Sequence, residues 1–104
     1  MPNESQYKKN RKQVIDEMLD EHGHLFCRRC DTIQSFKFHC HHIIFRSEAQ
    51  YHPELHNKKN LLIVCDTCHI EKFHNGTTKH ETRKQYVLDR KLNEMFKEVV
   101  FYLD

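Results

Sequence analysis

The sequence predicts a small α+β fold in a single domain, and three observations carry that reading. The chain has 104 residues, the length of one domain. Two C-x-x-C pairs, Cys27-Arg28-Arg29-Cys30 and Cys65-Asp66-Thr67-Cys68, have the ligand spacing of a four-cysteine zinc site. Short apolar stretches beside those pairs read as strands, whereas both ends of the chain carry apolar residues at helical spacing. The expected division is an N-terminal helix over 1-23, a zinc-stapled core over 24-76 and a C-terminal helix over 77-104.

Each element has its own signal. From about Ser5 to His22, Val14, Ile15, Met18 and Leu19 form an apolar stripe at i, i+4 spacing, and Gly23 is a stop signal. The segment is polar all round, so it is expected to lie across the surface of a small core. His24 to Ile33 carries the first cysteine pair and reads as a zinc knuckle with a short strand or turn on each side. Phe36, Phe38 and Cys40 alternate with Lys37, His39 and His41, the period of a half-buried strand, which Ile43 and Ile44 extend. Phe45 to Lys59 is polar, is punctuated by Pro53 and reads as a loop. Leu61-Leu62-Ile63-Val64 is a short buried strand running into the second cysteine pair, and a helix is expected from near Asp66 to Gly76. Thr78-Lys79-His80-Glu81 is a capping box. Leu88, Leu92, Met95, Phe96, Val99 and Leu103 then repeat at helical spacing, a stripe that packs on the core or on a partner. There are no internal repeats and no low-complexity segments.

Composition narrows the class. Apolar residues make up 38% of the chain, which limits the core and gives a structural metal something to add. The net charge of +2 says little, but basic clusters at Lys8, Lys9, Arg11 and Lys12, at Arg28 and Arg29, and at Lys58 and Lys59 suit either a solvated face or a phosphate backbone. No apolar run is long enough to span a bilayer and no signal peptide is visible, so an intracellular chain is expected. Five cysteines in a reducing compartment read as metal ligands before disulfides, with the odd one, Cys40, as a small buried apolar residue. Ten histidines are scattered through the chain rather than consecutive.

Four thiolates at Cys27, Cys30, Cys65 and Cys68 close one zinc site and leave the histidines for a second, open metal site. Between the pairs lies His41-His42-Ile43-Ile44-Phe45-Arg46-Ser47; Asn60 opens the second strand, and His69 follows nine residues later. This order resembles the HNH endonuclease family in its ββα-metal, treble-clef zinc form, over roughly residues 24–76, and in size resembles small phage-type members. HHIIFRS is similar to the family's first-strand motif, and the Asn60 to His69 spacing matches its strand-to-helix spacing.

The resemblance implies roles by position. His41 and His69 would hold the catalytic ion, His42 would be the general base that deprotonates water, and Asn60 would pin the loop between the strands and so orient the base. Adjacent strand residues point to opposite faces, so His41 and His42 can divide these tasks. An imidazole pKa of about 6.5 suits His42 to act near neutral pH, with activity falling below about pH 6. Arg46 could hold a phosphate bidentately. The chain departs from the family at Phe45, where proline is usual, and at Phe73, four residues after His69, where many relatives have a third ligand. His74 is the candidate third ligand, but only if the helix end distorts or unwinds, because position five of a regular helix faces elsewhere.

The implied activity is metal-dependent hydrolysis of DNA phosphodiesters, with structural Zn²⁺ and catalytic Mg²⁺ or Mn²⁺; Zn²⁺, Ni²⁺ and Co²⁺ also suit imidazole ligands. DNA is the expected partner, contacted by the basic N-terminal helix and by Arg28 and Arg29; the C-terminal helix offers a face for a protein partner. Two alternatives stay open: a non-catalytic zinc-ribbon module binding nucleic acid or protein, and a nuclease subunit active only with a partner such as a phage packaging complex. His39 could sit behind the metal ligands or at the surface. Glu48 could bond within the site or face solvent. His22, His24, His52, His56 and His80 read as surface or loop residues.

Overall fold

The structure is a computed structural model that describes residues 4–74 and 79–99. Helix α1 (Glu4–His22) ends where the sequence places its stop. Gly23 takes φ 78 and its amide returns to the Leu19 carbonyl at 2.8 Å, a left-handed cap that glycine adopts without steric cost. The helix is polar and buries only Met18. It is tied down by side chains: Lys58 Nζ reaches Glu17 Oε1 at 2.7 Å, and Asn10 Nδ2 donates to the His56 carbonyl at 2.6 Å.

The first knuckle follows. Its turn is closed by the Asp31 amide on the Cys27 carbonyl, with Asp31 at φ 64, and the Arg28 amide donates to the Ile63 carbonyl. Strand β1 (Phe38–His42) starts after Phe36, which is 98% exposed, so Phe36 does not belong to the strand as its alternation suggested. β1 pairs antiparallel with β2 (Leu61–Cys65), setting His41 opposite Leu62 and His42 opposite Leu61. Every residue of β2 is buried.

The segment from Phe45 to Lys59 is more structured than its polarity suggests. It contains helix α2 (Arg46–Ala49), a series of turns and a 3₁₀ turn (Lys58–Asn60). Leu55, His52 and His56 are buried there, so those two histidines, read as surface or loop residues, sit in the loop but not at the surface. Glu48 is also engaged: it accepts from the Phe45 amide at 2.9 Å and from Arg83 Nη1 at 2.5 Å.

After β2 the chain forms a short helix α3 (Asp66–Cys68) and then a π-helical turn (His69–His74). The C-terminal part is two helices, α4 (Lys79–Asp89) and α5 (Leu92–Met95), where one helix over 77-104 was expected. The break has a local cause. Arg90 Nη1 donates to the Lys59 and Leu61 carbonyls at 3.1 and 2.8 Å, and Lys91 turns at φ 57. The turn buries Leu92 and Phe96 completely, while Leu88 is 50% exposed and Val87 takes the buried position instead. Gly76, Thr78 and Leu103, used above as stop, cap and stripe, lie outside the described residues.

The core joins Ile43, Ile44, Leu62, Val64, Phe73, Val87, Leu92 and Phe96. The result is an α+β domain built on a two-stranded sheet. Among the described residues no helix is long and apolar enough to cross a membrane.

Candidate metal centres and active site

The four cysteines of the two C-x-x-C pairs converge. The sulfurs of Cys27, Cys30, Cys65 and Cys68 all lie within 4.8 Å of one another, with Cys30 and Cys65 at 3.7 Å. The first pair is folded into a tight turn, and the second sits where β2 runs into α3. In each knuckle a backbone amide points at a sulfur: Cys30 N to Cys27 Sγ and Cys68 N to Cys65 Sγ, both 3.4 Å. Burial alone raises Cys27, but amides and neighbouring thiols outweigh it and bring it to about 7. Burial and then the crowded sulfurs push Cys65 and Cys68 up. Four sulfurs crowded this closely are a donor set that a dication would complete, and their proximity fits tetrahedral Zn²⁺. Cys40 stands apart on β1, half-buried, its thiol pushed up to about 11 by burial.

A second cluster forms from histidines on two elements. One ring nitrogen from each of His41, His69 and His74 lies within 4.8 Å of the others. β1 supplies His41 and the π turn supplies the other two. Phe73, at the position where a third ligand was expected, points instead into the core and packs on the His41 ring at 4.5 Å between centroids. His41 is only 3% exposed. Its Nε2 is, among the described residues, the single buried side-chain nitrogen or oxygen without a hydrogen-bond partner. Burial, then the nearby His74 and His69, lower His41 to about 2; burial, then His39, lower His69 to about 4. Neutral imidazoles with one buried lone pair unmet are what a divalent ion requires.

Further contacts hold this cluster. His39 stacks on His69, ring centroids 4.1 Å apart and planes nearly parallel, and donates through Nε2 to Asp66 Oδ1 at 2.8 Å.

His42 lies next in the chain, outside that cluster. Both it and His41 line a cavity of about 360 Å³, with Arg46, Ser47, His69 and His74. His42 is 8% exposed, and burial, then Arg46 and His56, lower it to about 4. Its Nε2 meets His56 Nδ1 at 3.0 Å, and the Tyr7 ring of α1 stacks on it at 5.1 Å.

Asn60 is fully buried, and its side-chain hydrogen bonds go to the backbone. Its Oδ1 accepts from the Ile44 amide at 2.7 Å, and its Nδ2 donates to the carbonyls of Ile44 at 3.1 Å and Leu55 at 2.9 Å. One side chain thus clamps the stretch that follows β1 to the stretch that precedes β2. Arg46 reaches the cavity rim but is engaged: Nη1 meets Glu4 Oε1 at 2.5 Å, and the guanidinium lies 4.7 Å over the Tyr7 ring. That hydrogen bond holds the Glu4 carboxyl below its ordinary value.

Sequence reasoning did not find Glu4, Tyr7, His56 or Asp66 as parts of this site. Their contacts span large separations, such as 42 residues for Glu4 and Arg46, which no local periodicity reports.

No protein-family model, curated protein or solved structure matches this chain.

Proposed function

We propose that the chain is a metal-dependent endonuclease of HNH type that hydrolyses DNA phosphodiester bonds. Cys27, Cys30, Cys65 and Cys68 hold a structural Zn²⁺, and His41, His69 and His74 hold the catalytic ion. The observation that carries this reading is the convergence of those three imidazoles, one with an unmet buried Nε2, on a cavity that also receives His42 and Arg46.

A divalent ion held there neutralises charge on the phosphate and on the departing oxygen. Three nitrogen donors favour Mn²⁺ or the borderline ions Zn²⁺, Ni²⁺ and Co²⁺ over Mg²⁺, which prefers oxygen ligands and its own waters. His42, kept neutral by burial, takes the proton of the attacking water. Asn60 holds the loop that carries the partner of His42. Arg46 offers its guanidinium to a phosphate once Glu4 gives it up.

Bis(4-nitrophenyl) phosphate tests the chemistry without requiring DNA docking. The zinc-loaded chain should release nitrophenolate on addition of Mn²⁺, and His42→Ala should not. Equal rates in both proteins would defeat the assignment of His42.

A second reading has one observation in its favour. Tyr7 covers His42 and Glu4 occupies Arg46, so α1 lies over the proposed working groups. A nuclease that acts only when DNA or a protein partner lifts that helix end would look like this.

A further inference from the structure

We propose that His56 is a positioning residue that fixes the tautomer of His42, so that His42 Nδ1 is the nitrogen that receives the proton of water. This deepens the nuclease reading and rests on it for its purpose.

The argument starts from one short contact. His42 Nε2 and His56 Nδ1 lie 3.0 Å apart, both rings are buried, and His56 is 2% exposed. A neutral imidazole has one N–H and one lone pair, so a single proton lies between the two nitrogens. Only two arrangements exist. If His56 Nδ1 donates, His42 Nε2 spends its lone pair and Nδ1 of His42 carries the hydrogen; His42 then has no lone pair left for water. If His42 Nε2 donates, His42 Nδ1 keeps its lone pair and can act as a base. In that step an O–H bond of water breaks, an N–H bond forms at His42 Nδ1, and hydroxide remains as the nucleophile. The new positive charge strengthens the hydrogen bond from His42 Nε2 to His56.

The surroundings hold His56 for this role. Asn10 Nδ2 fixes the His56 carbonyl at 2.6 Å, and Asn60 Nδ2 fixes the preceding carbonyl, of Leu55, at 2.9 Å. The Tyr7 ring lies against both imidazoles, at 5.1 and 5.2 Å. Asn60 therefore reaches His42 through Leu55 and His56.

Two substitutions separate acceptance from mere filling. His56→Asn keeps an acceptor oxygen at the δ position; His56→Leu keeps bulk and removes the acceptor. Imidazole nitrogen NMR shifts should place the hydrogen of His42 on Nε2 in the wild type and in His56→Asn. In His56→Leu that preference should be lost, with kcat down about 100-fold and KM little changed; His56→Asn should stay within about tenfold of wild type. A wild-type His42 protonated at Nδ1, or equal losses in the two variants, would overturn the proposal. If His56→Leu fails to fold, the wild-type and His56→Asn tautomers decide the matter. If the wild type cleaves nothing, the nuclease reading fails, while the tautomer of His42 still tests the role of His56.

Discussion

His69 and His74 stand five residues apart, yet their Nε2 atoms lie 3.1 Å from each other. On a regular α-helix the fifth residue is rotated about 140° from the first. The chain brings them together by forming a π turn over His69–His74, which widens the helix by one residue per hydrogen-bonded ring. Sequence reasoning made ligation by His74 conditional on such a distortion.

His74→Ala should weaken binding of Mn²⁺ to the zinc-loaded protein by about tenfold or more, about 1.4 kcal/mol per decade, measured by titration calorimetry. Phe73→His, which places an imidazole four residues after His69, should not restore affinity. Phe73 is 1% exposed in the core, and replacing it costs stability instead. Unchanged Mn²⁺ affinity in His74→Ala would remove His74 from the site.

Asn60→Ala should destabilise the fold by about 2–4 kcal/mol, because the Ile44 amide and the Ile44 and Leu55 carbonyls lose a buried partner. Urea unfolding measures this, and hydrogen exchange should rise first at Ile44 and in the segment around Leu55. A change below about 0.5 kcal/mol would mean that the clamp seen at Asn60 carries no load.

Much of the site was legible because its signals are short. The C-x-x-C spacing builds each knuckle locally, the His41-His42 pair sits on one strand, and β2 reads as an unbroken apolar run. What was illegible is set by tertiary contacts. His56 lies in a segment without periodicity, and its burial depends on Asn10 and Tyr7 from α1. The helix break at Lys91 follows from Arg90 reaching back to the start of β2; a period count that included Leu88 passed straight through it. Arg83 and Glu48 form a partly buried ion pair across 35 residues, which also decides the place of Glu48.

Acid should destabilise the fold before it protonates the buried imidazoles. His41 and His42 are held down to about 2 and about 4 in the folded chain, but titrate near 6.5 when unfolded. Below pH 6.5 the unfolded state binds more protons, so stability is fully present above that value. It is lost as pH falls toward 4 for His42, and further for His41. Between pH 7.5 and 5.5 each contributes a loss of about 1.4 kcal/mol. The urea midpoint at the two pH values, with bound zinc quantified in both, measures the sum; a constant midpoint would contradict it. The acid limb of activity should accordingly lie below the pH 6 expected for an unperturbed histidine.

Glu4→Gln should free Arg46 for phosphate. In a His42→Ala background, which prevents cleavage, binding of a short DNA duplex should tighten about two- to fivefold, and its dependence on log salt should steepen by about one. Fluorescence anisotropy at several salt concentrations gives both numbers. Unchanged affinity and slope would mean that Arg46 does not contact DNA.

The central claim is that His42, beside the His41–His69–His74 cluster, makes this chain a nuclease. Incubation of supercoiled plasmid with the purified chain and Mn²⁺, wild type beside His42→Ala, tests it most directly. The account predicts nicked or linear plasmid from the wild type only, with equal bound zinc in both proteins. Intact plasmid from both at full zinc loading, with or without Glu4→Gln to release Arg46, would contradict it.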